Sequence, residues 1–245
     1  GLGYIGLPTA AIIADKGIEV IGVDINSELI DSIKERDINK DEPNLKSLVD
    51  KVLNNGKFIP TNKIEKADIF IIAVPTPINY DLNSKPVPDM QFVFSAAKEL
   101  AKYVEKNNMI IIESTCSIGT TQKVSELVEN NSKISKDKID FVCCPERVIP
   151  GNILQEIVYN DRILGGLRKE STKKCKDFYQ YFCKGQIHET TAETAELAKL
   201  TENSYRDVNI AFANEISIIC EKLNIKTKDL IKLTNCHPRV NILNP

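Results

Sequence analysis

Residues 1–24 read GLGYIGLPTAAIIADKGIEVIGVD, and the fold turns on this stretch. Gly1, Gly3 and Gly6 make a G-x-G-x-x-G turn that opens a helix over Gly6 to Lys16. The first glycine allows a tight turn, the second lets backbone approach a pyrophosphate, and the third permits close helix–strand packing. The helix start, with Tyr4 and Ile5 in the turn, offers free N–H groups and partial positive charge to phosphates. Alone, the pattern is unspecific. Here a buried strand over Glu19 to Asp24 follows at the right distance, ending 21 residues after Gly3. A carboxylate at Asp24 accepts hydrogen bonds from ribose hydroxyls and repels a 2′-phosphate, which favours NAD over NADP. The bland alternative is a glycine turn beside a solvated Asp. The strand expected before Gly1 is not in the sequence, which points to truncation at that end.

The pattern continues outward. Helices are expected over Ser27 to Glu35, capped by Ser27, over Glu42 to Leu53, and over Asp89 to Val104, with Asp89 as cap. Further helices are Thr120 to Glu129 and Lys169 to Phe182. Strands are expected over Ala67 to Val74, Met109 to Glu113, Ile139 to Cys143, Arg162 to Gly165 and Gln186 to His188. Continuous Ile/Val strands separated by helices indicate an α/β fold: a doubly wound, mostly parallel Rossmann-type sheet covered on both faces. From Ala192 to Leu223 there is no Gly or Pro, and apolar residues recur at helical spacing. This predicts one helix of about 30 residues, about 45 Å long. It is too long for a routine crossover and suits a domain link or an oligomer core. A short helix, Thr227 to Thr234, follows. The organisation expected is a dinucleotide-binding domain over 1–190 and the start of an all-α dimerisation domain over 191–245.

Composition narrows the function. With 42% hydrophobic and 27% charged residues the chain is ordinary globular protein, and its formal net charge of −2 offers no basic field for nucleic acid. No apolar run approaches the roughly 18 residues of a membrane helix. Seven cysteines without a CxxC pattern read as reduced thiols of a cytoplasmic protein. His188 and His237 show no zinc spacing with them, so no metal is expected.

Several segments carry a family likeness. These are Val74-Pro75-Thr76-Pro77, Glu113-Ser114-Thr115 with Gly119-Thr120-Thr121, Cys144 to Gly151, Asn160 to Gly166, and Ala195 to Asp207. In this order, across essentially the whole chain, the sequence resembles the UDP-glucose/GDP-mannose dehydrogenase family. Pro145 to Val148, Arg206 to Ile210 and His237 to Leu243 look like the branch acting on UDP-N-acetylmannosamine. The N-acetylglucosamine and glucose branches are the runners-up.

The resemblance implies NAD-dependent oxidation of the sugar's C6 alcohol to a carboxylate, for polysaccharide or glycan precursors. Val74, Pro75 and Thr76 read as a rigid loop beside the cofactor, and Thr115 as a contact to the nicotinamide ribose or to a catalytic water. Glu146 is implied in proton transfer or water handling, and Arg147 in binding an anionic group. Lys199, Asn203 and Arg206 fall at i, i+4 and i+7 and share one helix face. The likeness makes Lys199 and Asn203 catalytic, as donors to a negative oxygen, and Arg206 a substrate contact. Each has a plain alternative as turn, packing or solvated surface.

The nucleophilic cysteine of the family is expected in a G-G-x-C loop beyond Pro245, with a UDP-binding domain also beyond it. Cys236 lacks the glycine loop, and Cys143 and Cys144 read as packing. A UDP-sugar substrate and a homodimer or higher homo-oligomer are the implied partners. A non-catalytic nucleotide-binding or helix-pairing module is the alternative of another class.

Overall fold

Met109, Ile110, Ile111 and Ile112 are all buried, and they divide between two cores. Successive side chains of a strand point to opposite faces, so an unbroken apolar run demands cover on both. A computed structural model describes residues 1–38, 42–81 and 83–245. In chain order the elements are α1 (Gly6–Asp15), β1 (Val20–Val23), α2 (Ser27–Lys34), α3 (Leu45–Asn54), β2 (Phe58–Thr61), β3 (Ile69–Ile72), β4 (Ile78–Tyr80), β5 (Pro86–Pro88) and α4 (Gln91–Leu100). There follow β6 (Met109–Ile112), α5 (Thr120–Ser132), β7 (Asp140–Cys143), α6 (Ile153–Tyr159), β8 (Arg162–Gly166), α7 (Lys169–Tyr179), β9 (Ile187–Thr191), α8 (Ala192–Lys222) and α9 (Thr227–Thr234).

The fold is α/β and mostly parallel, as expected, but the ladder is not one sheet. The strands pair in the orders β1-β2 and β3-β6-β7-β8-β9, with β4-β5 as a separate hairpin. Between the carboxyl ends of β1 and β3 lies the start of the chain. The Leu2 amide donates to Asp24 Oδ2 at 2.7 Å, and the Gly1 backbone rests on the Ala73 carbonyl. One face of the five-stranded sheet carries Ile110, Ile112, Phe141 and Cys143 against Val93 and Ala97 of α4 and Val124 and Val128 of α5. The other carries Ile111, Val142, Cys144 and Leu164 against Ile12 and Ile13 of α1, Ile157 of α6 and Tyr179 of α7. Each such aliphatic side chain contributes about 1.5–3 kcal/mol when fully buried.

Two local expectations are corrected. The cap of α2 is Asn26, whose side chain accepts from the Leu29 amide, because Ser27 is already helical. The residue capping α4 is Met90, without a side-chain bond, while Asp89 accepts from the Gln91 amide at 2.8 Å. Strand β8 is antiparallel to β7. Two further elements carry no clear strand signal in the sequence: β2, which holds Pro60 and sits at a sheet edge, and the β4-β5 hairpin, which holds Pro86 and Pro88. Proline lacks the ladder N–H, so it weakens a strand signal and tolerates only edges.

The chain forms two compact units, Gly1–Leu197 and Ala198–Pro245. The second holds most of the 31-residue α8 and all of α9. After α9, the Asn235 side chain bonds both the amide and the carbonyl of Ile242, which orders the irregular tail. No helix among the described residues is long and apolar enough to cross a membrane.

A Cβ on Gly165 would overlap the Thr191 carbonyl where β8 meets β9. Gly165→Ala is expected to lose about 1–3 kcal/mol by overpacking, seen as a lower urea midpoint with an unchanged slope.

Candidate active site

Strands β3, β6 and β7 run parallel in one sheet, so their carboxyl ends share one edge, and the chain start joins the carboxyl end of β1 to it through Leu2–Asp24 and Gly1–Ala73. The glycine turn stands there. A Cβ on Gly6 would overlap the Gly1 carbonyl, and one on Gly1 would overlap the Ala73 carbonyl, whereas Gly3 faces open space. Helix α1 begins after Ile5 without a side-chain cap; Leu7 bonds the Gly3 carbonyl and Pro8 has no N–H, so the positive end offered to an anion is that of the turn ahead of Leu7. Tyr4 is exposed and Ile5 half-buried. Asp24 uses one oxygen on the Leu2 amide and the other on the Asn26 amide at 2.9 Å. A carboxylate has about four lone-pair sites, which leaves room for ribose hydroxyls. The open space over Gly3, the uncapped helix start and Asp24 together fit a dinucleotide.

A residue not singled out in the sequence joins the neighbouring loops. Ser114 Oγ accepts from the Val74 amide at 2.8 Å and lies 2.8 Å from the Val74 carbonyl. It pins Val74 to Pro77 against the segment carrying Thr115. Val74 also borders Gly1, so the turn, the Pro75 loop and the Thr115 loop are contiguous. Thr76 and Thr115 are half-buried, and Pro75 is exposed. Glu196, at the start of α8, accepts from the Gly119 and Thr121 amides at 2.7 and 2.8 Å and from the Thr121 hydroxyl. It thereby caps α5 from outside and closes the Thr115 loop.

Deeper at the same edge is a buried polar cluster. The Glu146 amide donates to the Glu113 carbonyl. Glu146 forms an ion pair of 2.8 Å with Arg162, both side chains nearly inaccessible, and its other oxygen accepts from the Arg147 amide. Arg162 also donates to the Ile157 carbonyl and lies 5.3 Å from the Tyr179 ring centre. The Tyr179 hydroxyl donates to Glu113 Oε1 at 2.6 Å. Burial, and then the charge of Glu146, raise the Glu113 carboxyl to about 7, against the opposing pull of Arg162, Tyr179 and Thr9. The Arg147 guanidinium donates to the Asp161 carbonyl at 3.2 Å.

The thiols here are poor nucleophiles. Burial pushes Cys144 up to about 12 and Cys175 well above the usual thiol range. Cys143 is raised by its bond to Cys116 and by burial. Cys116, Cys143 and Glu196 place potential metal-ligating atoms within 4.8 Å of one another, but both Glu196 oxygens already serve the amides that open α5.

Residues 1–183 match the NAD-binding domain of the UDP-glucose/GDP-mannose dehydrogenase family, and residues 193–245 match its central domain. The chain belongs to this family. Its cofactor is NAD, which Gly1, Gly3, Tyr4, Ile5, Gly6 and Asp24 would hold. The UDP-N-acetyl-D-mannosamine dehydrogenase of Campylobacter jejuni is 48% identical, over all of this chain and 61% of its own length. The NDP-N-acetyl-D-galactosaminuronic acid dehydrogenase of Ralstonia solanacearum is 43% identical, over all of this chain and 59% of its own. The solved UDP-D-ManNAc dehydrogenase of Pyrococcus horikoshii superposes with a TM-score of 0.94 at 38% identity, over all of this chain and 58% of that one. The chain thus spans about three fifths of the relatives it matches.

The structure brings together the turn residues Gly1, Gly3, Tyr4, Ile5 and Gly6 with Asp24, Val74 to Thr76 and Thr115, and it holds Glu146 in a buried ion pair. Lys199, Asn203 and Arg206 belong to the second unit, on α8, where Lys199 is half-buried and the other two are exposed. Ser114, Glu113, Arg162, Tyr179 and Glu196 were missed as site residues, because an isolated polar residue gives no sign of its distant partner.

Replacing Arg162 with Met leaves Glu146 buried without its partner. The expected loss is about 3–5 kcal/mol, read from chemical denaturation at neutral pH.

Proposed function

We propose that the protein carrying this chain oxidises the C6 alcohol of UDP-N-acetyl-D-mannosamine to the carboxylate with reduction of two NAD. The observation that carries this is 48% identity, over the whole chain, to a UDP-N-acetyl-D-mannosamine dehydrogenase. NAD supplies the hydride acceptor. Lys199 and Asn203 donate hydrogen bonds to the sugar oxygen as negative charge develops on it, a contribution that preorganised donors make efficiently. Glu146, paired with Arg162, handles protons and water near the reacting carbon. Thr115 contacts the nicotinamide ribose or the attacking water, and Val74, Pro75 and Thr76 wall the cofactor. Arg147 and Arg206 attract the anionic substrate. The second oxidation needs a thiolate, and the buried, protonated Cys143, Cys144 and Cys175 do not serve.

A second reading, an N-acetylated NDP-sugar of another configuration, is favoured by the 43% identical galactosaminuronic acid dehydrogenase. The domain division we propose is cofactor binding over 1–190 and helix-mediated dimerisation over 191–245, in a cytoplasmic homodimer or higher oligomer. Tyr205, Val208, Phe212 and Ile219 support the pairing, as exposed apolar residues recurring at three-, four- and seven-residue steps along α8.

The test is NADH formation by the full-length protein from UDP-N-acetylmannosamine, UDP-N-acetylglucosamine and UDP-glucose. A preference for the first is expected, and preference for UDP-glucose overturns the assignment. Lys199→Ala should lower kcat by about 100- to 1000-fold, the effect of removing one oxyanion donor, with NAD affinity unchanged.

A further inference from the structure

Residues 149–152, between Arg147 and helix α6, are all exposed, so buried side chains do little to fix this stretch. Hydrogen bonds fix it instead. Two are local: the Ile149 amide donates to Glu156 of α6 at 2.8 Å, and the Asn152 amide donates to the Ile149 carbonyl. Two reach a remote residue. The Gly151 amide donates to Glu42 Oε2 at 3.0 Å and the Ile153 amide to Glu42 Oε1 at 2.6 Å, across 109 and 111 positions of sequence. Gly151 has a φ of +88°, which L side chains rarely adopt, so glycine suits the turn that brings both amides onto one carboxylate. Glu42 is only 7% exposed, and the two amides compensate its burial.

Glu42 is itself anchored on the cofactor side. It stands ahead of α3, where the Leu45 amide bonds its carbonyl. Leu45, Val49 and Val52 of α3 share a core with Leu7 and Ala11 of α1, the helix that opens on the glycine turn. That turn also meets the tether directly. Desolvation, and then the charge of Glu42, raise the Tyr4 phenol, against the pull of the Gly151 amide. One carboxylate thus joins the body carrying the dinucleotide turn to the stretch that follows Glu146 and Arg147. At its other end that stretch is fastened by the Glu146–Arg162 pair.

We propose that Glu42 is a positioning residue: it registers the segment carrying Glu146 and Arg147 against the cofactor turn, and so sets the approach of the sugar C6 to the nicotinamide. The inference rests on the proposed roles of Glu146 and Arg147 toward the sugar. Hydride transfer needs reacting atoms about 3–3.5 Å apart, and a misplacement of about 1 Å costs about 100-fold. Glu42 itself touches neither reactant. Without its carboxylate the glycine turn keeps its own contacts, while residues 149–153 lose their remote tether and the segment drifts. Glutamine at this position keeps one acceptor oxygen and turns an NH2 toward the other backbone N–H, so it holds one bond of the two.

The test uses the full-length protein, with NAD and with UDP-N-acetylmannosamine bearing either hydrogen or deuterium at C6. Glu42→Ala should lower kcat by about 10- to 100-fold and raise the KM of the sugar, and Glu42→Gln should do both to a smaller extent. NAD affinity should stay at the wild-type value. The deuterium isotope effect on kcat should rise in both variants, because a misplaced donor slows hydride transfer relative to product release. A variant that had merely lost folded protein would show a lower kcat with the wild-type KM and isotope effect. Amide exchange should quicken over 149–153 and not over the glycine turn. The Gln variant, nearly isosteric, carries the test should the Ala variant not fold. Variants with the wild-type KM and isotope effect, or with NAD affinity lost in proportion to kcat, overturn the proposal. A wild type that forms no NADH from any of the three UDP-sugars overturns the proposed function and this inference with it, and turnover of another of them alone moves the same measurements to that sugar.

Discussion

The carboxyl edge of the sheet depends on where Arg162 is delivered. Strand β8 runs antiparallel to β7, pairing Cys143 with Gly165 and Val142 with Gly166. Its first residue therefore lies beyond the end of β7, beside Glu146. A parallel strand would have placed its last residue there instead. Burying a guanidinium costs several kcal/mol even after relaxation. Here the Glu146 carboxylate, the Ile157 carbonyl and the Tyr179 ring offset that cost. The reversal of one strand thus holds three elements, α6, α7 and the loop after β7, around a single charge.

What was legible in the sequence was what repeats or what is local. The limits of α8 and α9 followed from helical apolar spacing and, for α8, from a stretch without Gly or Pro. Met109 to Ile112 announced itself as a short, β-branched apolar run between helical segments, the mark of a strand covered on both faces. The glycine turn was readable because each glycine answers to a backbone requirement a few residues away. The sheet's division was not, since pairing is settled by partners remote in sequence. The same applies to the site. Asp24 could be found by counting from Gly3, but nothing near Ser114 says that its hydroxyl meets Val74, 40 residues earlier. Arg162 stood inside a quoted family segment and still gave no hint of Glu146.

The strands bring the loops of this edge close, but mostly side-chain bonds fasten them. Asp24 holds the Leu2 amide, Ser114 holds Val74, Glu196 holds Gly119 and Thr121, and Glu42 holds the Gly151 and Ile153 amides. In three of these the acceptor is a carboxylate spent on backbone N–H groups, a charge-assisted bond about twice as strong as a neutral one. A site fastened this way keeps its loops in place without a ligand and pays no ordering entropy when one arrives.

The same economy explains why the buried cluster is tolerated. A second carboxylate beside Glu146 raises the energy of any state in which both are charged, yet an apolar residue at Glu113 would leave the Tyr179 hydroxyl without its acceptor. Glu113 therefore stays a carboxyl whose Oε1 accepts from Tyr179, raised to about 7 by burial and by Glu146. Glutamine would keep an acceptor for Tyr179 without the charge, so what sets glutamate apart here is a second carboxylate buried beside the Glu146–Arg162 pair.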